Sequence, residues 1–237
     1  MVILWRLLFG HLLADFTFQS DAVNAAKRSS LKGMLIHCAA HPLCYAVLAF
    51  PYLGEIWIDK GAFRLSGWAC VLVVFAAHFI EDQWRVFTIF RHRAPDNTLY
   101  FLWDQVIHYA VIFAVVPAGL SSVSDLELMP EKWPVLGCLA VLVTHGSTVL
   151  IYFIEKDLWG RPFPGAQEKY LGIAERLVLA LCFLLPNPWW APAAAVWGFL
   201  MYWIRAKRVV DFSWFSLAAG SVLSMICGGA ARWVYNT

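Results

Sequence analysis

The chain has 237 residues, 61% of them hydrophobic and 14% charged, with a mean hydropathy of +0.63 and a formal net charge of +2. That apolar excess excludes an ordinary soluble domain, and the near-neutral charge, with no lysine and arginine block interleaved with aromatics, excludes a nucleic-acid partner. Six cysteines without CxxC spacing exclude a disulfide scaffold and a thiolate zinc cluster.

A bilayer core about 30 Å thick takes about 20 apolar residues per helix. The chain divides into eight segments of that order, which predicts an all-α, polytopic transmembrane bundle. The first, residues 2–18, lacks the basic start and cleavage site of a secretory signal and is expected to stay in the mature protein. It carries His11 and Asp15 one helical turn apart, and Gln19 and Asp21 extend the polar stripe beyond it. Gln19 is a candidate to orient a ligand or a substrate headgroup. The second segment, 34–53, carries His37 and His41, with Cys38 beside them. The third, 65–82, ends on His78, Glu81 and Asp82, where adjacent carboxylates offer a ligand and a general base. The fourth, 99–118, opens with Asp104 and His108.

The fifth segment, 133–154, holds His145 among Thr144, Ser147 and Thr148, a pattern that fits either a contribution to the site or close helix packing. In the sixth, 171–186, Glu175 and Arg176 interrupt the apolar run. Arg176 is a candidate phosphate clamp, with an ion pair to Glu168 as the alternative. The seventh, 189–204, follows PNPWWAP, whose prolines predict a tight hairpin or a re-entrant pair, and the eighth is 212–233.

Alternate loops carry the cations: Lys27, Arg28 and Lys32; Arg85, Arg91 and Arg93; Lys156, Arg161 and Lys169; Arg205, Lys207 and Arg208. Cytoplasmic loops hold such an excess, so both termini are expected outside the cytoplasm. Residues 1–118 then form a four-helix membrane unit with the polar pairs, and 119–237 a second membrane half of the same domain.

With that topology all four pairs fall at one depth, near the cytoplasmic side. His11 and His78, Asp15 and Asp82, His37 and Asp104, and His41 and His108 are each 67 residues apart, which predicts a duplicated helical hairpin around a shared site. An ionisable group at mid-helix costs about 2.5 to 3.5 kcal/mol on insertion scales, so eight of them need compensation. Imidazole and carboxylate together suit a divalent metal: zinc, with manganese or iron as alternatives, in one or two ions. Proton relay and structural polar packing are the competing uses.

The stretches HLLADFTFQ, DQVIH, GIAERL and SLAAGSVLS, with the later histidines, resemble the bacterial membrane family named domain of unknown function 3307 over most of the chain. The matching residues are His11, Asp15, Phe16 and Gln19, then His37, Asp104, Gln105 and His108, and later Gly172, Glu175 and Arg176. The resemblance implies a helical membrane fold and adds Gln105 to the candidate binding residues. More distantly, the histidine and aspartate usage is similar, in residue types, to bacterial inner-membrane proteins described as metal-dependent hydrolases. Together these readings predict a hydrolase of the bacterial inner membrane acting on a lipid or lipid-linked substrate. His11, Asp15, His37, His41, His78, Asp82, Asp104 and His108 are its expected ligands, and Glu81, Glu175 and Arg176 its expected catalytic groups. A metal or proton transporter and a non-catalytic subunit are the alternatives. The apolar outer helix halves (AVLAFPYL, ACVLVVFA, AVIFAVVP) favour the enzyme.

Overall fold

A computed structural model describes residues 1–117, 129, 131–207 and 213–237. Arg208, one of the expected loop cations, and the ends of the expected segments at 118 and 212 lie outside the described residues. The chain divides into two units, Met1–Pro134 and Val135–Thr237.

The first unit begins with α1, Val2–Leu12, which runs directly into a π-helical turn over Leu13–Thr17. There the Phe18 N–H reaches back five residues to the Leu13 carbonyl at 2.8 Å. A short helix follows, α2 (Asp21–Ser29), opened by the Ser20 hydroxyl accepting from the Val23 N–H and closed by Lys27 and Arg28 in its last turn. Ser30 caps α3 (Leu31–Ala49) in the same way through the Gly33 N–H, at 3.0 Å. An antiparallel hairpin of β1 (Ile56–Lys60) and β2 (Phe63–Ser66) turns at Gly61, whose φ of +66° is the left-handed conformation a two-residue loop requires. Ser66 then caps α4 (Gly67–Arg91) and Asn97 caps α5 (Thr98–Val115).

In this unit Leu4 and Leu7 of α1, Tyr45 and Ala49 of α3, Val71 and Val74 of α4, and Ile112 and Val115 of α5 form one apolar core, joined by Leu53 and the hairpin's Trp57. These residues come from the first halves of α1 and α4 and the second halves of α3 and α5. The helices therefore alternate in direction, with the apolar core at one end. Large apolar side chains such as Leu43, Val47, Leu72 and Leu99 remain exposed, as expected where the neighbour is lipid rather than water.

The second unit takes in most of α6 (Lys132–Val141), which begins just before the unit boundary. It continues through a second π turn (Leu142–Gly146) into α7 (Ser147–Trp159), which ends at left-handed Gly160. Then come α8 (Ala166–Cys182), α9 (Trp190–Ala206) and α10 (Trp214–Asn236), the last packing Cys227 against Ala180 and Val143.

Among the described residues, four helices are long and apolar enough to cross a membrane: Leu31–Tyr52, Thr98–Val115, Lys132–Trp159 and Trp214–Asn236. The expectation of eight spans is thus met by four. The others fall short because α8 and α9 have 17 residues each, while α1 is brief and α4 carries Glu81, Asp82 and Arg85. Three further differences matter for the site. Residues 21–29 form a helix where a loop was expected, the 56–66 connection is a β-hairpin, and α4 continues to Arg91 rather than stopping at 82.

Candidate metal centre

Each of four helices delivers one polar pair to the end of the first unit opposite its apolar core. His11 lies in the last turn of α1 and Asp15 in the π turn; α3 supplies His37 and His41, α4 His78 and Asp82, and α5 Asp104 and His108. The four-residue spacing puts both members of a pair on one helix face, and all eight side chains are buried.

At the centre is one carboxylate oxygen. Asp15 Oδ1 lies 3.2 Å from His41 Nε2, 3.4 Å from His37 Nε2 and 3.6 Å from His78 Nε2. Despite this proximity, Asp15 Oδ1 and His41 Nε2 make no aligned hydrogen bond, and neither do Asp104 Oδ1 and His108 Nε2, which are 3.5 Å apart. Buried polar atoms left in this way are costly unless an ion or a water completes them. Ligand atoms held about 2.1 Å from a tetrahedral ion stand about 3.4 Å apart, and neighbours around an octahedral ion about 3.0 Å apart. The observed separations, 3.2 to 3.6 Å, lie within or just above that range. They resolve into three overlapping groups: His11, Asp15, His41 and His78; His37, Cys38, His78 and Asp82; and Asp82, Asp104 and His108. Within each group one ligand atom per residue lies within 4.8 Å of all the others.

Surrounding groups fix this set. Gln105 Nε2 donates to Asp15 Oδ2 at 3.1 Å, and its Oε1 lies 3.3 Å from His11 Nε2, so the two ends of one amide orient two candidate ligands. Arg85 donates to Asp104 Oδ2 at 2.9 Å and to Asp96 Oδ1 at 3.2 Å. Lys27 Nζ donates to both Asp82 oxygens, at 3.1 and 3.2 Å, and to Gln19 Oε1 at 3.1 Å. The imidazoles stack, with the His41 and His78 ring centres 3.7 Å apart and those of His78 and His108 4.1 Å apart.

All eight expected ligands therefore meet, with Gln105 and Gln19 beside them. Glu81 is only partly buried, next to Asp82. Glu175 and Arg176 belong to the second unit, where Arg176 donates to the carbonyls of Val143 (3.0 Å) and Thr144 (3.2 Å) and to the Thr148 hydroxyl. Its guanidinium thus stitches α8 to the π turn and the start of α7 instead of pairing with Glu168. His145 sits in that same turn, 3.3 Å from the Thr144 hydroxyl.

Sequence reasoning missed Lys27, Arg85 and Asp96. The two cations were counted as solvated loop charges, yet Lys27 and Arg85 side chains are each only 12% exposed. A signal for α2 was present in Ser20, Asp21 and the terminal Lys27 and Arg28, which together read as a capped, dipole-matched short helix.

Residues 3–135 match the family described as protein of unknown function (DUF3307), a stretch that contains every residue of the cluster. No curated protein and no solved structure matches the chain.

Proposed function

The chain belongs to the DUF3307 family, and from its buried ligand set we propose that it holds one or two divalent ions within the membrane and acts as a metal-dependent hydrolase. The observation that carries this reading is Asp15 Oδ1, held 3.2 to 3.6 Å from three imidazole nitrogens at ligand-to-ligand spacing and without hydrogen-bond alignment. A set of histidine and aspartate with a single nearby thiol, Cys38, suits zinc, with manganese or iron as alternatives. Such an ion lowers the pKa of its water and polarises a phosphoryl or carbonyl oxygen.

The protein's own residues divide the work. The eight buried histidines and aspartates are the ligand set, and Gln105 orients Asp15 and His11. Glu81, partly exposed beside Asp82, is available to take a proton from an incoming water, and Gln19 is available to a headgroup. Arg176 and Glu175 serve packing of the second unit. The apolar core of the first unit supports a site reached from one end over a transport path, because an ion crossing toward Leu7, Tyr45, Val74 and Ile112 would meet no carboxylate or imidazole there, only the Tyr45 hydroxyl and the Cys70 thiol. The lysine and arginine excess in alternate loops supports a cytoplasmic orientation of the cluster end, and with it a location in the bacterial inner membrane. A site at that depth suits a lipid or lipid-linked substrate.

Elemental mass spectrometry of the detergent-purified protein tests the metal reading. One or two equivalents of zinc, manganese or iron are expected in the wild type and none in the His11→Ala, His78→Ala double variant. A folded, metal-free wild type would remove the reading. Release of phosphate or acyl groups from lipid esters in proteoliposomes, abolished by chelator and restored by the same ion, tests the hydrolase assignment.

A further inference from the structure

Lys27 belongs to α2, a helix with no buried residue, yet its own side chain is enclosed. Around its Nζ lie three acceptors, both Asp82 oxygens at 3.1 and 3.2 Å and Gln19 Oε1 at 3.1 Å, with His37 Nε2 at 3.3 Å and itself 3.0 Å from Asp82 Oδ2. His37 and Asp82 are also the centre of the second ligand group, with His78 and Cys38. An ammonium and a metal ion cannot both occupy the space between His37 and Asp82.

The helix that carries Lys27 is itself fixed. A Cβ on Gly33 would stand 2.1 Å from the Ala26 carbonyl oxygen, so the end of α2 rests directly on the backbone of α3. Arg28 adds an ion pair to Asp96 at 3.0 Å. What can move is the flexible stem of Lys27, not α2. Charge points the same way: around the cluster Asp15, Glu81, Asp82, Asp96 and Asp104 face Lys27, Arg28 and Arg85, which leaves two carboxylates uncompensated. A single divalent ion covers both. A second ion in low dielectric would be opposed by the ammonium at its own seat.

We propose that Lys27 is a built-in cation that reserves the seat between His37 and Asp82. The resting protein then takes one divalent ion, at His11, Asp15, His41 and His78, and takes a second only when the Lys27 side chain withdraws. The inference rests on the metal reading above and adds the ordering of its two seats.

Zinc stoichiometry after chelator stripping, measured on the detergent-purified full chain, separates the two. One equivalent is expected for the wild type and two for Lys27→Met, falling back to one when Asp82→Asn is added. Equal stoichiometry in the wild type and Lys27→Met, whether one or two, overturns the ordering and leaves the metal reading standing. A folded wild type that takes no zinc ends both. Should Lys27→Met not fold, the wild type supplies its own readout in the labelling of Lys27 by an amine reagent. Labelling should stay low at one equivalent of zinc and rise several-fold in excess zinc, and labelling that ignores excess zinc overturns the proposal.

Discussion

Asp15 is the residue on which the site turns, because one of its oxygens faces three imidazoles and the other accepts from Gln105. Without an ion that first oxygen is a desolvated charge with no aligned partner, a destabilising arrangement. Asp15→Asn keeps the shape and removes the charge. The metal-free variant is therefore expected to unfold in detergent at a temperature equal to or above that of the metal-free wild type. The same variant should lose the stabilisation that saturating zinc gives, about 2.7 kcal/mol at a hundredfold excess over Kd. Equal zinc-induced shifts in both proteins would sink the assignment of Asp15 as a ligand. Gln105 acts one step back, and Gln105→Leu should weaken metal affinity by about 10- to 100-fold while leaving stoichiometry intact. Chelator competition reads that difference. The eight candidate ligands were legible from the sequence because histidine and aspartate are conspicuous in apolar helices and their four-residue spacing fixes a shared face. Lys27 and Arg85 were not legible, since a lysine or arginine near a helix end is normally solvated and nothing in its neighbours distinguishes the buried case.

At the scale of elements, the residues 67 apart in sequence have unequal surroundings. Asp15 sits in a π turn among histidines, whereas its counterpart Asp82 sits in regular α4 and is paired with Lys27. The hairpin carrying α1 and α3 also contains α2, while α4 and α5 are joined by residues 92–97 alone. Wide turns of this kind are often found at functional sites, and no local sequence rule marks them in advance. The docking of α2 is testable through Gly33. Gly33→Val would force α2 off α3, because the obstacle is the Ala26 carbonyl rather than a flexible side chain. The expected result is faster proteolysis within 21–29 and greater Lys27 labelling, with the rest of the fold retained. At the far end of the same unit, Arg6 of α1 grips Glu131 bidentately, at 2.6 and 2.7 Å. The hydrogen bonds from Arg6 hold the Glu131 carboxyl below its ordinary value of 4.5. A lowered folded-state pKa means the link stabilises fully above the unfolded value and fades as pH falls through the folded one. Glu131→Gln should therefore cost about 1 to 2 kcal/mol at neutral pH, and the difference should close as the pH drops below 4.5. Thermal unfolding of both proteins across that range provides the check.

For the molecule as a whole, composition alone established a helical membrane protein, since no soluble fold needs this much apolar surface. The number of crossings was less legible: segments of similar hydropathy form helices long and apolar enough to span, short helices such as α8 and α9, and the cluster-bearing α1 and α4. Apolar runs report burial, and burial in lipid and in protein read alike. What separates an enzyme from a transporter here is how polarity is distributed along the helices of the first unit. In α1, α3, α4 and α5 the histidines and aspartates occupy one end, and the other is filled by Leu4, Leu7, Tyr45, Ala49, Val71, Val74, Ile112 and Val115. A translocated ion would have to shed its ligands into that core, where only the Tyr45 hydroxyl and the Cys70 thiol could replace them and the desolvation cost runs to several kcal/mol. Proteoliposomes loaded with a zinc-sensitive dye should accordingly show no protein-dependent influx when zinc is added outside. Protein in the same vesicles, lysed in detergent, should still bind its equivalent. Zinc influx lost in Asp15→Asn would show that the core opens, and would make the cluster a way station instead of the proposed catalytic centre.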